Sequence, residues 1–292
     1  MDVRILGPLL LRHGTVEGRL TAPKPRKVLA LLLVNAGQVV PVGSMLRELW
    51  RDNPPLSAPT TMQTYVLQIR RMLRDLLGLP ASEIAADVLV TRSGGYEIRL
   101  PAGALDLHVF ERLAAAGREA LVAGDSRLAA RTLSEALALW HGPPLVDVPH
   151  GPLLAVEVRR LDEDRLTAVQ QRIDADLWLG RHHEVLSELT GLAARYPTHE
   201  NLHAQYLLAL YRAGRRTDAL QAYRRLRTVL VRELGLEPSV RLQRLQQAIL
   251  SADPGLDRPA DGGGLLLDRL WAVSGWRGSD RTVEPVAAAR RG

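Results

Sequence analysis

The sequence predicts a mixed, mainly helical fold, with a small α+β domain at the N-terminus and an all-α domain of repeated helix pairs behind it. Three observations carry that expectation. Short β-prone runs broken by glycine open and close the first hundred residues. Ala- and Leu-rich stretches with apolar residues three and four apart fill most of the rest. Two glycines, Gly180 and Gly214, stand 34 residues apart in closely similar surroundings.

A length of 292 residues suits two compact domains plus a remnant. Hydrophobic residues at 46% and charged residues at 24% are ordinary globular proportions, and the 4% aromatic content means cores built from Leu, Ala and Val. The longest strong apolar run, Val28 to Val34, is too short to cross a bilayer, and the N-terminus lacks the form of a signal peptide. There are no cysteines, which excludes a disulfide scaffold, a thiol nucleophile and a Cys-based zinc site. A soluble cytoplasmic protein is the expected class. The net charge of +6 is unevenly placed: residues 1–100 hold thirteen Lys and Arg against eight Asp and Glu, a net of +5. A polyanionic partner for that third is the electrostatic reading, beside the plainer one of a solvated basic surface.

Along the chain, VRILGPLLLRHGTVEGRL reads as a small antiparallel sheet turned at Gly7-Pro8, Gly14 and Gly18. PKPRKVLALLLVNAG is a helix with Pro at its start and Gly37 at its stop. A short extended VVP leads to a second helix, about Ser44 to Arg51, with Ser44 as its cap. A third helix is predicted from about Thr60 to Leu77. Its apolar stripe is Met62, Tyr65, Val66, Ile69, Leu73 and Leu76. The opposite face carries Thr60, Thr64, Gln68 and Arg71, with Leu67 among them, flanked by Arg70 and Arg74. VLVTRSGGYEIRL is a hairpin whose RSGG turn takes positive φ at Gly94-Gly95.

Sheet, three helices and a two-stranded hairpin form the order of a winged helix, assigned to residues 1–102. Its third helix fits a major groove, where Thr60, Thr64, Gln68, Arg70, Arg71 and Arg74 are the candidate contacts. The candidate wing contacts are Thr91, Arg92, Gly94, Gly95 and Tyr96, with Arg92 at the tip for phosphate or the minor groove. Lys24, Arg26 and Lys27 can hold a phosphate at the start of the first helix. The plainer alternative is an amphipathic core helix with a wet outer face.

After a short linker at Pro101 to Ala104, residues 106–251 read as helical. Large apolar residues precede Gly180 and Gly214 by three (Leu177, Tyr211), and Val185 or Ala219 follows by five. Leu189 or Tyr223 follows by nine, and Gly124 repeats the pattern with Leu121, Ala129 and Leu133. A 34-residue helix-pair period is that of tetratricopeptide repeats, against the alternative of an ordinary bundle. Residues 252–292 change composition and read as a largely disordered tail, with weak docking suggested by Trp271 and Trp276.

RILGPL, KPRKVLALLLVNAGQVV, LRELW, TMQTYVLQIRRML and TRSGGYEIRL, followed by LDLHVFERL, EALALWHGPPL, ADLWLGRHHEVLSEL, ALYRAGRRTDALQAYRRLR and LQRLQQAIL, resemble the Streptomyces antibiotic regulatory proteins. The resemblance runs from about Val3 to Leu250. It implies an OmpR-type winged helix fused to a bacterial transcriptional activation domain. It implies binding to tandem direct repeats of double-stranded DNA near a promoter and recruitment of RNA polymerase holoenzyme, usually for a secondary-metabolite gene cluster. The absence of G-x-x-x-x-G-K-[ST] makes the chain look like a short-form member without an ATPase module. A self-pair side by side on DNA is expected, with no cofactor, no membrane partner and a nucleoid-associated location. A piece ending near Ala102 is expected still to recognise DNA but to lose activation.

HENLH at 199–203 matches the zinc-protease pattern H-E-x-x-H, which would put His199 and His203 on one helix face with Glu200 as general base. It stands in the first turn of a repeat helix, with Thr198 a ready cap, and no third ligand is evident nearby. Three classes therefore remain in play: a DNA-binding activator that is not an enzyme, an interaction scaffold acting through the repeats, and, remotely, a zinc hydrolase.

Overall fold

The computed structural model describes residues 1–257, which form two compact units, Met1–Asp176 and the residues from Leu177 onward. The tail expected at 258–292, with Trp271 and Trp276, lies outside the described residues.

The first unit opens with strands β1 (Asp2–Arg4), β2 (Leu10–His13) and β3 (Val16–Gly18), an antiparallel meander in the order β1-β2-β3. Helix α1 (Pro23–Val34) comes next, with Pro in its first turn where no N–H is needed, and it buries every residue from Val28 to Leu33. Strand β4 (Val39–Pro41) runs directly into α2 (Val42–Trp50). The helix starts two residues before the expected Ser44, and no side chain caps it. Pro41 stands at the cap in an extended conformation that its ring favours, which makes a Ser cap unnecessary.

Helix α3 (Ala58–Leu77) begins ahead of the predicted Thr60 because Pro59 is accommodated in the first turn. Met62, Val66, Ile69, Leu73 and Leu76 are buried as spaced, joined by Met72. Tyr65 is only half-buried and stacks with Trp50 at 6.5 Å between ring centroids. A single turn, α4 (Ala81–Glu83), and a wider π-helical turn (Ile84–Val88) lead to β5 (Leu89–Arg92) and β6 (Gly95–Ile98). These pair with β4 in the order β4-β6-β5, so the VVP segment is a sheet strand and not merely an extended link. The turn also differs from expectation. Only Gly94 has positive φ (+77°); Gly95 begins the strand, where an added Cβ would run into the Val40 carbonyl oxygen.

The segment read as a linker is bound to β1: the Val3 N–H donates to the Ala104 carbonyl at 2.8 Å, and Val3 bridges to Leu105. Helices α5 (Asp106–Ala123) and α6 (Ser126–Leu137) pair, and a loop leads to the long α7 (Pro152–Trp178). Within that loop, His141 N–H donates to Leu6 O at 2.8 Å and Leu145 N–H to Gly7 O at 2.7 Å. The winged helix and the first repeat pair therefore share one compact unit.

The second unit contains α8 (His182–Arg195), α9 (Glu200–Arg212), α10 (Arg216–Leu234) and α11 (Val240–Ser251). The repeat predicted from spacing has a common geometry. Gly124, Gly180 and Gly214 each take positive φ (+89°, +75° and +74°). Each donates its N–H to the carbonyl three residues earlier, that of Leu121, Leu177 or Tyr211. Glycine favours that reversal, and the helix behind each one buries Ala129 and Leu133, Val185 and Leu189, or Ala219 and Tyr223. Within Ala252–Asp257, assigned to the tail, Leu256 is buried and its carbonyl accepts from Arg212 Nε at 2.7 Å, while most of its neighbours stay exposed.

Candidate nucleic-acid interface

Helix α3 exposes one continuous row, Thr60, Thr64, Gln68, Arg71 and Arg74, with Gln63 and Leu67 between them. Not all of these side chains are equally free. The Thr64 hydroxyl donates to the Thr60 carbonyl at 3.2 Å, which occupies its proton. Arg74 pairs with Asp75 at 2.7 Å. Arg70 is half-buried, and its guanidinium donates to the Leu89 carbonyl at 2.7 and 3.1 Å and to Thr91 Oγ1 at 2.9 Å. Arg70 thus braces α3 against β5, a role the flanking position on a helical wheel does not reveal.

The hairpin is braced in the same way. Glu97 accepts from Arg92 at 2.7 Å and from Arg99 at 2.9 Å. These hydrogen bonds, from Arg99 first and Arg92 next, hold its carboxyl below the usual carboxylate range. Thr91, Arg92 and Gly94 are exposed; Gly95 is buried and Tyr96 half-buried. The three basic residues of α1 part company. Lys24 is exposed with its ammonium 4.8 Å from the Trp50 ring centroid. Lys27 is half-buried, and Arg26 donates to the Leu9 carbonyl and pairs with Asp147.

Three carboxylates that sequence reasoning passed over join the winged helix to the helices behind it. Buried Asp106 accepts from the N–H groups of Ile5 (3.0 Å), Leu6 (2.9 Å) and Leu107 (2.8 Å). Burial pushes its carboxyl up, opposed by those N–H bonds. Asp147 accepts from Leu9 N–H at 2.8 Å. Glu48, on α2 and 1% exposed, accepts from Gly151, Leu153 and Leu154 N–H at 2.5, 2.8 and 3.2 Å, the free donors at the start of α7. Their partners lie about a hundred residues away, so only Asp106, at a helix start, left a local signal.

Residues 105–250 match the family described as bacterial transcriptional activator domain, and residues 17–97 match transcriptional regulatory protein, C terminal. The chain is 48% identical over 258 residues to regulatory protein DnrI of Streptomyces peucetius, covering 88% of this chain and 95% of that one. It belongs to the Streptomyces antibiotic regulatory protein family of transcriptional activators. Regulatory protein AfsR of Streptomyces griseus is 40% identical over 88% of this chain, which spans a quarter (25%) of AfsR. The solved structure of Mycobacterium tuberculosis EmbR in complex with a low affinity phosphopeptide superposes with a TM-score of 0.81 at 33% identity. It covers 87% of this chain and 65% of that one. The winged helix followed by tetratricopeptide-like helices is thus an architecture this family member shares with EmbR.

The HENLH segment is absorbed by the helices. His199, and not the expected Thr198, caps α9, its Nδ1 accepting from Leu202 N–H at 3.4 Å. Glu200 accepts from Ser239 N–H at 2.8 Å, the residue that in turn caps α11. Among the described residues no group of three or more His, Asp or Glu side chains is placed to hold a metal ion. His203 is 8% exposed, and burial lowers its pKa, with the neighbouring His199 acting in the same direction. A depressed histidine is neutral in both states at high pH, so it costs nothing there. As pH falls through the ordinary value of 6.5, the unfolded chain takes up the proton first and stability is lost. Denaturant unfolding is therefore expected to show a lower midpoint at pH 5.5 than at pH 7.5, a dependence that His203→Leu reduces. An unchanged pH dependence in His203→Leu would remove this assignment.

Proposed function

We propose that this family member binds double-stranded DNA through α3 and the β5–β6 hairpin and activates transcription by recruiting RNA polymerase holoenzyme. Tandem direct repeats in a promoter are its expected sites, occupied by a side-by-side pair, and a secondary-metabolite gene cluster its expected target. It works in the cytoplasm at the nucleoid and is not an enzyme. The observation that carries this reading is the exposed row of Thr60, Thr64, Gln68 and Arg71 on a helix whose outer edge is fixed by Arg70. A helix fits the major groove, where Arg reads guanine and Gln reads adenine by paired hydrogen bonds. Lys24 and Lys27 are assigned to phosphate, and Arg26 to holding Asp147 with at most a secondary part at the DNA. Arg92, with Thr91 and the Gly94 turn, is assigned to the backbone or minor groove, and Arg74 to phosphate beside the reader face. Gly95 and Tyr96 shape the hairpin.

A duplex selected by the full chain from a pool with a random core provides the test. Affinity is expected to fall steeply between 50 and 200 mM salt, about tenfold or more per few phosphate contacts. Arg71→Ala and Gln68→Ala are expected to cost about 1–3 kcal/mol of discrimination between the selected and a scrambled duplex. Arg92→Ala is expected to weaken both duplexes alike. Affinity indifferent to salt, or full discrimination without Gln68 and Arg71, would sink the reading.

A further inference from the structure

Leu67 is out of place on its helix. It is 52% exposed, the one large aliphatic residue of α3 that is, and the exposed positions around it are Gln63, Thr64, Gln68 and Arg71. Apolar residues scattered singly over a surface are ordinary. This one stands in the middle of the face assigned to the DNA bases, one residue before Gln68 and four before Arg71. Its polar neighbours are also thinned: Arg70 is committed to Leu89 and Thr91, and the Thr64 proton to Thr60. The centre of the reader face therefore holds one apolar side chain, with the hydrogen-bonding side chains of Gln63, Gln68 and Arg71 around it.

The floor of a major groove presents hydrogen-bond donors and acceptors at every base, but one apolar group only, the C5-methyl of thymine. An aliphatic side chain held there gains nothing from a polar base edge and desolvates it. Against a thymine it buries its own surface and the methyl together. We infer that Leu67 covers the C5-methyl of one thymine and makes that base a fixed letter of the recognition site. The inference rests on the reading of α3 as the base-reading helix. Spacing places the letter. Four residues advance about 6 Å along a helix, against about 3.4 Å per base pair, so the thymine falls within about two base pairs of the base that Arg71 reads.

The experiment uses the full chain and the duplex it selects from a random-core pool. Each thymine of that duplex is replaced in turn by deoxyuridine, which removes the methyl group and leaves base pairing intact, and affinity is read by fluorescence anisotropy. One replacement is expected to weaken binding about fourfold, the size of one buried methyl group, while the others change little. With Leu67→Ala the thymine and uracil duplexes should bind equally at that position, and a pool selected by this variant should lose the letter. The uracil scan on the parent chain needs no variant to fold. A scan silent at every thymine, or a Leu67→Ala chain that keeps the thymine preference, would overturn the inference while leaving DNA recognition standing. A pool in which no duplex is enriched would overturn both.

Discussion

Glu48→Ala is expected to lower the unfolding free energy of the first unit by about 1–3 kcal/mol, the range for leaving buried backbone donors without their acceptor. The carboxylate serves the N–H groups of Gly151, Leu153 and Leu154, and the first turn of α7 has no acceptors of its own. An alanine leaves those donors without their acceptor and removes a negative charge from the positive end of a 27-residue helix. Glu48→Gln keeps the shape but turns an amide NH2 toward donors, so it should recover only part of the loss. Gly151→Ala attacks the same contact from the other side. Its Cβ would run into the Glu48 carbonyl oxygen and lie 2.5 Å from its carboxyl carbon. Urea unfolding followed by circular dichroism gives the measurement. An unfolding midpoint equal to the parent's in Glu48→Ala would show that the contact contributes nothing.

What the sequence made legible was whatever repeats locally. The buried stripe of α3 follows from three- and four-residue spacing, and the helix-pair repeat from glycines, which take φ near +75° without the strain a Cβ brings. The exposed reader row followed from the same wheel. The state of each side chain on it did not. Arg70 looks like its neighbour Arg71 in the sequence, yet one guanidinium is tied to Leu89 and Thr91 while the other is exposed. That difference depends on where β5 lies, nineteen to twenty-one residues further along the chain and beyond the reach of helical periodicity. The same reason hid β4 as a sheet strand, since its partner Gly95–Ile98 lies more than fifty residues on. It also hid Glu48, whose burial in α2 has no local excuse: a charged residue on an apolar face reads as an exposed one until the start of α7 is brought against it. HENLH shows the converse. A five-residue motif was legible as chemistry, while its actual work is to cap α9 through His199 and to hold, through Glu200, the Ser239 N–H at the start of α11.

A piece of the chain ending at Ala102 is expected to be poorly folded, which reverses the expectation that it would recognise DNA unaided. Strand β1 is the edge of its sheet, and past it the backbone is satisfied from outside the winged helix. Val3 donates to Ala104, Ile5 and Leu6 donate to Asp106, and Leu6 and Gly7 accept from His141 and Leu145. Cutting at Ala102 returns those groups to water, which costs little by itself. It also uncovers Val3, Ile5 and Leu6, each 0% exposed in the full chain, and frees Arg26 and Glu48 from their partners. Full exposure of three such side chains is worth about 5–9 kcal/mol, and half of it is already a large part of the roughly 5–15 kcal/mol that holds a whole domain. The 1–102 piece should therefore melt early or without cooperativity and bind the selected duplex weakly. A chain ending at Asp257 keeps every one of these contacts and should bind as the full chain does. Thermal circular dichroism and anisotropy on the two pieces decide the matter. A 1–102 piece with a sharp transition and the affinity of the longer chain would mean that the Asp106, Asp147 and Glu48 contacts attach the helices to a reader already complete without them.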